Sequence, residues 1–132
     1  MSGAAHFEPI HAARLDEIAT WLETGAGEVP NTDIVGFDMT YWIYRMENAC
    51  GTVCCIGGYV QERFASYVGP GEGLGYAGAG ALLGLDPIQS CHLFDPYPKL
   101  DLGDVTPRWA ARTIRHLIAT GTVDWNATRH AL

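Results

Sequence analysis

Cys50, Cys54 and Cys55 fall within six residues, with Gly51, Gly57 and Gly58 interleaved, and the fourth cysteine, Cys91, stands directly before His92. A thiol and an imidazole are the parts of a nucleophile–base pair. If Cys50 opens a helix, backbone N–H groups and the helix dipole favour its thiolate. His92 is then the candidate base, with Asp95 or Asp86 as the carboxylate that orients it. Brought together by the fold, these groups would serve a small cysteine-dependent hydrolase or transferase. The same residues also supply a Cys3His set for zinc: Cys50, Cys54, Cys91 and His92. Knuckle spacing occurs only at Cys50 and Cys54, and the second pair is contiguous, which is awkward on one tetrahedral ion. No metal site and no cofactor are therefore assigned. Packing is the third use. Cys50, Cys54 and Gly58 at i, i+4 and i+8 make a smooth ridge, and a free cysteine is most often a small buried hydrophobe.

Arg108, Arg112 and Arg115 follow helical spacing and form one basic face. Such a face can dock an acidic partner or a phosphate. It can equally be a solvated face or pair with acids of the same molecule. Gly73-Leu74-Gly75-Tyr76-Ala77-Gly78 is a literal GxGxxG. A dinucleotide fingerprint needs a preceding strand and a βαβ unit, and no such unit can be read around it. Chain reversal and close packing explain those glycines. His6, His11, His116 and His130 show no metal spacing among themselves.

The net charge of -7 disfavours nucleic acid as a partner. Its distribution is uneven: residues 1–104 carry 14 acids and 4 bases, whereas residues 105–132 carry 1 acid and 4 bases. Apolar runs fall far short of the ~20 residues of a membrane span, and the first residues do not read as a secretory signal. A cytoplasmic protein with reduced thiols is expected. A chain of 132 residues reads as one domain, 1–132. At that size it can bury roughly two-thirds of its unfolded surface without help from disulfides or metal.

The elements that must position these side chains read as short helices joined by Gly/Pro loops. Pro9 opens a first helix, with Ile10, Leu15, Ile18, Trp21 and Leu22 at helical spacing and Gly25 as its stop. Asp38 caps a short helix from Met39 that carries Tyr41, Trp42 and Ile43. Asn48 or Thr52 caps another, running to about Ser66, with Val53, Ile56, Val60 and Phe64 on one stripe. Tyr76 to Leu85 is a tightly packed helix. Asp86-Pro87-Ile88-Gln89 is a capping box, and that helix ends near Phe94. Thr106-Pro107 starts the last long helix, whose core face is Ala110, Ala111, Ile114, Leu117 and Ile118 and whose stop is Gly121. Val123 and Trp125 follow as a short strand or an extended segment packed on the core. The fold expected is mostly α: one compact domain of about five short helices with at most a minor strand pair.

Phe37-Asp38-Met39-x-x-Trp42, Cys50-Gly51-Thr52-x-x-Cys55-Ile56-x-Gly58 and Leu82-Leu83-Gly84-Leu85, with the closing Thr120-Gly121-x-Val123-Asp124-Trp125, together resemble a family of small uncharacterised bacterial and phage proteins. The resemblance covers about residues 37–125, and the chain departs from it at Cys54 and Gly57, where alanine is expected. It implies that Cys50 and Cys55 are the family cysteines. It also implies a phage or prophage setting with an accessory role, and it supplies no reaction. Two function classes stay open. One is a protein-binding or self-associating module; the other is the cysteine enzyme built on Cys50 and His92.

Overall fold

The computed structural model describes residues 6–32, 34–39, 43–45, 52–64, 75–96 and 101–129. The described chain is mostly helical. α1 spans Pro9–Glu23, and the strands β1 (Ile34–Phe37), β2 (Ile43–Arg45) and β3 (Thr52–Cys54) follow. Then come α2 (Ile56–Phe64), α3 (Gly75–Leu82), α4 (Pro87–Phe94), a 3-10 turn at Leu102–Asp104, α5 (Pro107–Thr120) and α6 (Trp125–Thr128). Among the described residues no helix is long and apolar enough to cross a membrane.

Helix boundaries follow local chemistry. Pro9 starts α1 at its first position, where a missing N–H costs nothing. Asp86 and Gln89 close a full capping box on α4: the Asp86 carboxylate accepts the Gln89 N–H at 2.7 Å, and the Gln89 side chain accepts the Asp86 N–H at 2.9 Å. Thr106 caps α5 by accepting the Trp109 N–H at 3.1 Å, and Gly121 ends it in the left-handed region at φ 78°. Where Val123 and Trp125 read as extended, Asp124 instead caps the single turn of α6 by accepting the Ala127 N–H at 3.0 Å.

Between Ile34 and Phe64 the structure departs from the sequence reading. Among the described residues the sheet has three strands, one more than the expected pair, in the order β1-β3-β2. β3 lies in the middle, parallel to β1 and antiparallel to β2. Ile43 lies in β2, not in a short helix begun at Met39. Thr52 and Val53 are ladder residues of β3, so the expected 52–66 helix is a strand followed by a nine-residue helix. Val53 and Ile56 fit a helical stripe by count, but pairing on both sides of β3 outweighs a weak helix preference. Tyr41, Trp42, Asn48 and Ser66 lie outside the described residues.

One apolar core joins the elements. α1 and α5 lie along each other, and Leu15, Ile18, Leu22, Ile114 and Leu117 are fully or almost fully buried. Burying each such side chain contributes about 1.5–3 kcal/mol. Ile10, expected on this stripe, is 54% exposed because it stands in the first turn, before α1 meets the core. On the far side Trp109 and Trp125 meet edge to face at 5.7 Å. The Trp109 indole N–H donates to the Trp125 carbonyl at 2.9 Å, and the Trp125 indole N–H donates to the His92 carbonyl at 2.8 Å, which ties α4, α5 and α6 together.

Candidate functional site

Three places bear on function: the thiols, the arginines of α5, and a groove beside α1. Cys50 and Gly51 lie outside the described residues. β1 and β3 run parallel, so their carboxyl ends lie side by side, and the Asp38 N–H donates to the Cys54 carbonyl at 3.0 Å. Cys54 ends β3 with no exposed surface. Cys55 occupies the turn into α2, and its sulfur accepts the N–H groups of Gly57 and Gly58. A thiol at a helix N-terminus therefore exists, at Cys55. It is 2% exposed, and burial outweighs the N–H groups and raises its pKa from 9.0 to about 11. Burial raises that of Cys54 further. Both are neutral packing groups at neutral pH, as small hydrophobes are.

His92 and Cys91 are exposed neighbours on α4, while Leu93 and Phe94 face the core. The histidine's carbonyl is engaged by Trp125, and its imidazole stands in solvent. Cys54, Cys91 and His92 do not converge, and no group of three or more metal-ligating side chains occurs among the described residues. The described part of the GxGxxG segment opens α3, and the described element before it is α2, a helix.

The arginines of α5 separate by role. Arg112 donates to the carbonyls of Thr128 and Arg129 at 2.7 and 2.9 Å, satisfying the end of α6. Arg115 reaches α1, where it forks onto Glu23 at 2.9 and 3.1 Å, pairs with Asp16 and meets Thr20 at 3.2 Å. The Arg115 guanidinium holds the Glu23 carboxyl below its usual range. Arg108 is exposed. Two of the three thus hold the fold together, Arg112 through backbone carbonyls of the chain's end and Arg115 through ion pairs with the acidic body.

The groove lies between the 24–32 loop and the exposed edge of the α1–α2 contact, with a volume of about 320 Å³. Glu17 and Trp21 on α1, and Tyr59 and Arg63 on α2, are i, i+4 pairs that face it. The Tyr59 hydroxyl donates to Glu17 at 2.6 Å, and the Arg63 guanidinium grips both oxygens of the same carboxylate at 3.0 and 3.2 Å. Burial, and then Glu17, push the Tyr59 phenol well above its ordinary pKa of 10.0, so it stays a donor. The Trp21 and Tyr59 rings meet at 4.6 Å.

The loop forms the other wall with Glu28, Val29, Pro30 and Asn31. It is tied down at several points. The Trp21 indole N–H donates to the Gly27 carbonyl at 2.8 Å, the Ala26 N–H to the Trp21 carbonyl at 2.8 Å, and the Val29 N–H to the Ile34 carbonyl at 3.0 Å. Asn31 takes a positive φ of 66°, a conformation its short side chain tolerates. No protein-family profile, curated protein or solved structure matches the chain. The sequence reading placed Trp21 in the core, where it lies, and passed over Glu17, Tyr59 and Arg63. The signal available was the repeated i, i+4 spacing of an aromatic ring with a charge.

Proposed function

We propose that the protein is a non-catalytic binding module, and that the groove beside α1 is where it meets a protein partner. One observation carries this reading: the groove is open, yet both of its walls are already fixed. Glu17 locks Tyr59 and Arg63 in place, and hydrogen bonds from Trp21 and Val29 fix the loop. Side chains ordered before binding lose little entropy on complex formation. The described part of the thiol segment supports the same reading, because Cys54 and Cys55 are buried and neutral. A net charge of -7 favours protein over nucleic acid as the partner. The family resemblance supports an accessory role for such a module in a bacterial, phage or prophage setting, and free cysteines fit a cytoplasmic one.

The test is amide and indole chemical-shift mapping on the whole chain against a panel of short peptides of varied charge. Shifts should gather at the Trp21 indole, Val29 and Asn31. Shifts gathered at Cys91 and His92, or turnover of a thioester or ester probe lost in Cys50→Ser, would replace the binding module with the cysteine enzyme.

A further inference from the structure

Resting on the groove as the binding site, we infer that it takes a cationic side chain, a lysine or arginine, presented by an exposed segment of the partner protein. The inference starts from the charges lining the groove. Glu17, Glu28 and Arg63 all line it. Arg63 and Glu17 neutralise each other through a two-pronged contact, and the Arg63 guanidinium also lies over the Phe64 ring at 5.4 Å. Glu28 is exposed, and among the described residues it has no cation or hydrogen-bond donor. The groove therefore presents one uncompensated negative charge, while the Trp21 and Tyr59 rings behind it are buried and packed against each other. That charge attracts an ammonium or guanidinium group through the carboxylate.

The wider field acts in the same direction, since residues 1–104 carry 14 acids against 4 bases. Size favours a single side chain over a whole small molecule. A volume of about 320 Å³ lies at the bottom of the range for small-molecule pockets. The groove is also open on one side, which lets the chain that bears the side chain remain outside.

The test uses the full chain and acetylated, amidated tripeptides with lysine, arginine, norleucine or glutamate between two glycines, followed through the Trp21 indole N–H. The lysine and arginine peptides should shift it, the glutamate peptide should not, and affinity should fall as salt rises. Glu28→Gln, an exposed change that leaves the fold alone, should weaken the basic peptides about threefold to fivefold, the size of one exposed ion pair. Equal binding of the norleucine peptide would overturn the charge preference and leave the groove standing. Binding of a free alkylamine as tight as that of the lysine peptide would overturn the protein partner in favour of a small amine. Silence of the groove toward every peptide would overturn both this inference and the binding site on which it rests.

Discussion

At the scale of single residues, burial decides what the thiols do. A native-state titration with an aromatic disulfide at pH 8 should modify Cys91 rapidly, with mass mapping showing Cys54 and Cys55 untouched until denaturant is added. Rapid labelling of Cys55 in the folded protein would mean that the β3–α2 junction opens. The raised pKa values also make a statement about stability. Cys55 keeps its proton up to about 11 when folded but loses it near 9.0 when unfolded, so the unfolded state binds fewer protons between those values. The stabilisation is complete below pH 9 and is lost as pH rises through the window, by roughly 3 kcal/mol for this thiol alone. Urea melts from pH 7 to 11 should show that decline, and Cys55→Ala should make it shallower. Tyr59 acts in the same direction at still higher pH, since its phenol is also held protonated.

At the scale of elements, the ends of helices are where sequence and structure agree most closely. Asp86→Ala removes one half of the α4 capping box and should cost about 1 kcal/mol in a chemical melt, with Asp86→Asn recovering most of it. No change on Asp86→Ala would mean that α4 is held by packing alone. Asp86, Thr106, Pro9 and Gly121 were legible because each works through bonds to residues at most four positions away. The sheet was not legible for the opposite reason. β3 is three residues long, and its identity comes from partners 7 to 18 positions earlier, Ile43–Arg45 and Ile34–Phe37. Local periodicity placed Val53 with Ile56 and so joined a strand to a helix. The groove was legible only in part. The i, i+4 pairs can be read on each helix, but nothing local shows that Glu17 of α1 meets Tyr59 of α2, 42 residues away. The three arginines of α5 share a face as spacing implies, yet only the fold reveals that Arg112 and Arg115 are occupied.

At the scale of the whole molecule, the last long helix closes on the first. Arg115→Gln should cost about 1 kcal/mol or less, because the pair with Asp16 and Glu23 is part-exposed, and the cost should shrink in high salt. Arg108→Gln should leave stability within about 0.5 kcal/mol of the parent. Equal effects of the two would deny Arg115 its role between α1 and α5. The closure also has a consequence in time. Arg115 lies 92 residues beyond Glu23. At about 5–20 residues per second, a ribosome needs roughly 5–18 s to make that stretch. Throughout that interval Leu15, Ile18 and Leu22 have been translated while their cover has not. The nascent chain therefore carries an apolar stripe without its α5 cover, and it is expected to engage holding chaperones until α5 emerges. Chains stalled before Pro107 should stay sensitive to protease and bound to chaperone, and chains stalled far enough past Gly121 to clear the exit tunnel should be released.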